Sequence, residues 1–147
     1  MTIHQISIFL ENKSGAMVKV LDILKKASIQ IIASTIADTA DYGIFRIICS
    51  EPARAYTELK ENGISVALSD VFAIKLHDTP GSAADAISVF AEKGINLSYL
   101  YSFLLGDKGV LIFRTDNTEA AKEAIILDKL EFLTEQDLRS QKRSNDR

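Results

Sequence analysis

Sliding the sequence against itself by 66 positions aligns it without a gap, and this internal repeat limits the possible folds more than any other feature. Gly15 meets Gly81, Leu21 meets Ile87, Leu24 meets Phe90, Ile29 meets Ile95 and Gly43 meets Gly109. Ala55 and Leu59 meet Ala121 and Ile125. The matches fall on turn glycines and on the apolar positions of each element. Two copies of one small domain are therefore expected, residues 1–68 and 69–134, followed by a polar tail over 135–147. A unit of this length is near the lower limit for independent stability, so each copy should need its neighbour. Only Ser69-Asp70 separates the last strand of one copy from the first strand of the next, a linker too short for much independent motion.

Within copy one, alternation of Ile6, Ile8 and Leu10 predicts a strand over residues 3–10. After Gly15, Met17, Val20, Leu21, Leu24 and Ala27 form the stripe of a helix lying on a sheet. Strands over 29–37 and 44–49 follow, joined by a turn from Asp38 to Gly43. Pro52 opens a second helix, tolerated in a first turn, which stops at Asn62-Gly63 before a strand over 64–68. Copy two repeats the order. Its first strand alternates Phe72, Ile74 and Leu76, and its first helix turns Ala83, Ala86, Ile87 and Phe90 inward and stops at Gly94. The hairpin Gly106–Gly109, a helix over 118–127 and a strand over 130–133 complete it. The fold class expected is α+β: two ferredoxin-like βαββαβ units, each a four-stranded antiparallel sheet with two helices on one face. The tail should form at most a short helix before becoming disordered.

Each copy has a polar break between first strand and first helix: Asn12-Lys13-Ser14-Gly15 and, 66 positions on, Asp78-Thr79-Pro80-Gly81. Glycine at such a corner lets backbone N–H groups approach a ligand, and a helix N-terminus favours anionic groups. With this element order, the corners resemble those of the ACT domain family, here as a tandem pair over residues 3–133. Asp78-Thr79-Pro80-Gly81 carries the family's aspartate and proline before glycine; copy one has Asn12 and Ser14 instead. The resemblance implies a non-enzymatic sensor that binds a free amino acid, or a similar small ligand, at an interface between two copies. It places the ligand between one corner and the start of a neighbour's second strand. The residues carried over are Asn12, Lys13, Ser14, Gly15, Ala16 and Met17 with Gln30 and Ile31, and Asp78, Thr79, Pro80, Gly81, Ser82 and Ala83 with Asn96 and Leu97. Amides after each glycine would receive an α-carboxylate, Asp78 or Asn12 an α-ammonium group, and Gln30 and Asn96 would orient the ligand. The same polar residues also suit a plain helix cap, and copy one's corner suits a purely structural role.

Other function classes find less support. Formal net charge is −3 and no long basic run exists, which disfavours nucleic acid or an anionic membrane as partner. Tyr99, Tyr101 and Phe103 alternate on one strand like the base-stacking platform of an RNA-binding sheet. The strand Lys108–Thr115, however, puts Val110 and Ile112 where stacking aromatics are needed, and copy two has 10 acidic against 6 basic residues. Those aromatics are better suited to packing on the other copy or a second chain, so a homodimer is expected. His4 and His77 are not related by the repeat and lack clustered ligands for a metal. No nucleophile–base pair, phosphate loop, dinucleotide loop or other cofactor motif is found. A lone cysteine, Cys49, in an apolar strand fits a reducing compartment. The longest uncharged run, the 13 residues Gly94 to Gly106, is too short to span a bilayer. A cytoplasmic protein with an unidentified regulated partner is the expectation, and a ligand-free assembly module is the alternative.

Overall fold

A computed structural model describes residues 1–11, 15–38 and 41–145. Among these are six strands and five helices, an α+β arrangement. They run β1 (Ile3–Glu11), α1 (Ala16–Lys26), β2 (Ile31–Asp38), β3 (Tyr42–Cys49), α2 (Pro52–Glu61), β4 (Ser65–Leu76), α3 (Ser82–Glu92), β5 (Leu97–Leu105), β6 (Lys108–Thr115), α4 (Thr118–Leu127) and α5 (Glu135–Asn145). The chain forms two compact units, His4–Ser69 and Met1–Ile3 with Asp70–Arg147.

In the first unit the strand order is β2-β3-β1-β4, with β3 antiparallel to both β1 and β2. Ile6, Ile8 and Leu10 of β1 and Phe45, Ile47 and Cys49 of β3 point to one side. There they meet Val20 and Leu24 of α1 and Ala55 and Leu59 of α2, because strand residues two apart share a face. The core arc of α1 also takes Ala16, Met17, Ile23 and Ala27, which keeps a 3.6-residue period. Leu21, expected on that arc, lies one position off it and is 39% exposed.

The second unit repeats the plan with order β4-β6-β5, both pairings antiparallel. Phe72 and Ile74 of β4 and Leu111 and Phe113 of β6 pack under Phe90 of α3 and Ala121, Ala124 and Ile125 of α4. Phe113 sits between two aromatic rings, 5.3 Å from Phe72 and 4.7 Å from Phe90 by centroid.

Four expectations are corrected. Two separate four-stranded sheets do not form: β4 is one 12-residue strand, whose start closes the first unit and whose end begins the second. Ser69 and Asp70, expected as a linker, lie inside it; the pair contains neither proline nor glycine, so nothing breaks the strand. The strand expected over 130–133 shrinks to one bridge, Ile74 with Phe132, flanked by Lys75 N–H to Glu131 O at 2.9 Å and Leu133 N–H to Ala73 O at 2.8 Å. The expected polar tail is largely helical, as α5. Thr134 and Asp137 start it with a capping box, Thr134 N–H and Oγ1 donating to Asp137 Oδ2 at 2.8 and 3.0 Å and Asp137 N–H donating back to Thr134 Oγ1 at 3.2 Å. Leu138, only 2% exposed, anchors it.

Candidate functional site

Both corners use left-handed glycine. Gly15 has φ 94° and Gly81 φ 87°, a conformation costly for residues with a Cβ, and a Cβ at either would meet nothing within 4 Å. The demand is therefore on the backbone and leaves the space beside each glycine open. Asn12, Lys13 and Ser14 lie outside the described residues.

The second corner is visible in full. Asp78, Thr79, Pro80, Gly81 and Ala83 are exposed and Ser82 half-buried. Ser82 N–H donates to Thr79 O at 3.3 Å, and Ser82 Oγ accepts His77 N–H at 2.9 Å, which together hold the turn. The N-cap of α3 is Gly81, which has no side chain to cap it, and among the described residues the Asp78 carboxylate makes no hydrogen bond to the helix start. By contrast, Asn117 Oδ1 caps α4 by accepting Ala120 N–H at 3.2 Å. Among the described residues the N–H groups of Gly81, Ala83 and Ala84 have no protein acceptor, and Asp78 has no ion-pair partner. Such first-turn donors are the ones a carboxylate can take.

The first corner adjoins two cavities. Gly15 lines one of about 730 Å³ between α1 and α2, with Lys19, Asp22, Lys26, Arg54 and Glu58 on its walls. Arg54 spans it, with Nη1 2.7 Å from Glu51 and Nη2 donating to Ala27 O at the end of α1. Ala16 lines a second cavity, about 440 Å³, with Phe9, Glu11, Lys19, Tyr42 and Ser65. Met17 packs into the core. Lys19 and Arg54 were missed as cavity residues. The i,i+4 pairs Lys19/Ile23 and Arg54/Glu58 place these side chains on single helix faces, but sequence does not say that the two faces meet.

The facing strand starts have their own repeat signature. Gln30 and Asn96 are exposed, and Gln30 is held through its backbone, donating to Ser50 Oγ at 3.1 Å and accepting Ser50 N–H at 2.9 Å. Ile31 and Leu97 open β2 and β5, and each strand has a register irregularity just after, between Ile31 and Ala33 and between Leu97 and Tyr99. Bulges of this kind re-aim side chains and interrupt pairing. Within one copy, corner and strand start do not meet. They sit at opposite ends of an 11-residue helix, roughly 16 Å apart along its axis.

Histidines, cysteine and carboxylates form no group able to hold a metal among the described residues, and no described helix is long and apolar enough to cross a membrane. Tyr99, Tyr101 and Phe103 are half-buried, on the same side of the sheet as Val110 and Ile112.

Comparison with known proteins gives a consistent answer. The family model described as "ACT domain pair" matches residues 1–141. No functionally curated protein matches the chain. The crystal structure of protein BT0572 from Bacteroides thetaiotaomicron is similar at 36% identity and a TM-score of 0.89, covering 95% of this chain and 96% of that one. The ligand-free regulatory subunit of aspartate kinase from Thermus thermophilus shares the fold at 18% identity and a TM-score of 0.59, over 84% of this chain and 91% of that one. The corresponding subunit from Thermus flavus does so at 19% and 0.57, over 84% and 90%. The repeated order of elements, the paired left-handed corners and the family match over residues 1–141 lead to one conclusion: this chain belongs to the ACT domain pair family.

Proposed function

We propose that this protein is a regulatory module that binds a free amino acid at its glycine corners and passes the bound state to another protein. One observation carries the reading. At the second corner an exposed left-handed Gly81 leaves the N–H groups of Gly81, Ala83 and Ala84 without protein acceptors, beside an unpaired Asp78 carboxylate. Three amides and one carboxylate match the two charged ends of a zwitterion. Asn12, Lys13, Ser14, Gly15, Ala16 and Met17 would make the equivalent corner, and Gln30, Ile31, Asn96 and Leu97 the facing strand starts.

ACT domains are regulatory rather than catalytic modules, and the fold is shared with regulatory subunits of aspartate kinase. Binding is expected to act within a cytoplasmic homodimer. Edge strands β2 and β5 support the dimer, since each pairs on one side only and exposes Ile36, Leu100 and Leu104 by 56, 45 and 74%. Buried Cys49, which forms no disulfide among the described residues, suits a reducing compartment.

The test is a set of thermal melts of the full chain against each common amino acid. A ligand at 100 times its Kd adds about 2.7 kcal/mol of stability. Asp78→Ala should remove that shift, and Asn12→Ala should reduce it less. If no amino acid moves the midpoint, the corners are structural and the chain is an assembly module.

A further inference from the structure

A third cavity lies entirely within the second unit, and none of its lining residues belongs to either corner. Its volume is about 390 Å³, at the lower end of ligand-binding clefts, which run roughly 300–1,000 Å³. Four separate stretches of chain converge on it. The β5–β6 hairpin gives Leu105, Lys108 and Val110; the segment beside β4 gives Glu131 and Leu133; α5 gives Asp137 and Ser140; Lys75 comes from β4 itself. Leu105, Val110 and Leu133 are the apolar members of its lining and give it an apolar floor.

The internal repeat shows how this cavity differs from its counterpart. Lys75, Lys108 and Glu131 stand 66 positions after Phe9, Tyr42 and Ser65, and those three residues line the cavity of about 440 Å³ beside the first corner. The same strand ends thus form a hollow in both copies. In copy one those positions are aromatic or neutral; in copy two they carry charge.

The charges are matched in sign and only partly used. Lys75 Nζ lies 3.2 Å from Glu131 Oε2, so these two satisfy each other. Asp137 spends Oδ2 on capping α5, and among the described residues no bond is made to Oδ1. Lys108 has no ion-pair partner among the described residues, and the Ser140 hydroxyl makes no hydrogen bond there. Lys108 and Asp137 therefore leave one unspent positive group and one unspent negative oxygen around an apolar floor.

We propose that this hollow is a second small-molecule site, for an α-amino acid with a branched aliphatic side chain. The ligand's carboxylate meets Lys108, its ammonium group meets Asp137 Oδ1 and Glu131, and its side chain lies on Leu105, Val110 and Leu133. A simple anion suits it less well, since two carboxylates share the lining with the two lysines. The site does not depend on the corner reading. Because α5 supplies one wall, occupancy also holds that helix in place.

The experiment uses calorimetric titration of the full chain with L-valine, L-leucine and L-isoleucine. 4-Methylpentanoate and isopentylamine, each lacking one charge, serve as controls. At least one of the three amino acids should bind at millimolar concentration and slow amide exchange over Glu135–Asn145, and neither control should. Lys108→Ala, at an exposed hairpin position, should weaken that binding by about tenfold or more, the scale of a lost charge-assisted hydrogen bond. Ser140→Trp, on an exposed helix face, should block it, and Asp78→Ala should leave it intact. Binding lost in Asp78→Ala but kept in Lys108→Ala and Ser140→Trp would support the corners and overturn this site. No binding of any of the three amino acids, equal binding of 4-methylpentanoate, or unchanged exchange over α5 would also overturn it.

Discussion

Ser28 and Gly94 stand 66 residues apart and make the same corner: each ends a helix in the left-handed conformation, φ 57° and 70°. The following residue completes the motif in both copies, Ile29 N–H donating to Leu24 O and Ile95 N–H to Phe90 O, each at 2.9 Å. This is the Schellman closure, which glycine normally provides because its lack of a Cβ removes the strain. Copy one therefore carries a strained residue where copy two does not.

Ser28→Gly should stabilise the protein, by about 0.5–1 kcal/mol once the added freedom of the unfolded chain offsets part of the strain relief. Gly94→Ala should destabilise by about 1 kcal/mol, since a Cβ there meets nothing within 4 Å and only backbone strain is added. Urea unfolding midpoints of the two variants check both signs. Equal and opposite shifts would identify the helix end, rather than packing, as the source.

The same corner shows what the sequence disclosed and what it withheld. Gly94 is a plain stop signal, whereas nothing about Ser28 says that it does a glycine's work. The repeat exposed the element order because apolar positions at fixed spacing survive duplication. It could not show β4 as one strand, since Ser69-Asp70 looks like punctuation and neighbouring strands are what keep the chain extended across it. Nor did it reveal α5, whose polar composition hides the single anchor Leu138. The corners were legible as glycines after alternating strands. That Asp78 leaves α3 uncapped was not legible, because a capping residue and a free carboxylate read alike. Lys75, Lys108 and Glu131 meet only through the strand order, which periodicity does not encode.

Phe113→Ala should damage the second unit's core severely. The ring is fully buried and contacts both Phe72 and Phe90. Truncation costs about 3–5 kcal/mol, a large part of the stability of a domain this size. Amide exchange should accelerate across β4, β6, α3 and α4. Protection retained in those elements would show that the cavity collapses without cost.

Lys93 and Asp128 join the ends of α3 and α4, Nζ to Oδ2 at 2.8 Å, with side chains 37% and 39% exposed. Water screens a pair this open, so a double-mutant cycle of Lys93→Ala and Asp128→Ala should return a coupling of only about 0–1 kcal/mol, smaller still at high salt. A coupling well above that range would mean the pair orients the two helices rather than decorating their ends.

Thr134→Ala tests how firmly α5 is held. The substitution removes the hydroxyl that donates to Asp137 Oδ2 and accepts Asp137 N–H, a cap worth about 1 kcal/mol. Besides the cap, the buried side chain of Leu138 is the main tie visible for the helix; burying such a leucine contributes about 1.5–3 kcal/mol. Loss of the cap should therefore fray α5 locally, raising amide exchange over Glu135–Asn145 while the global unfolding midpoint moves little. If the midpoint falls along with α5, the helix is part of the second unit's cooperative core, and the cavity it walls is a rigid one.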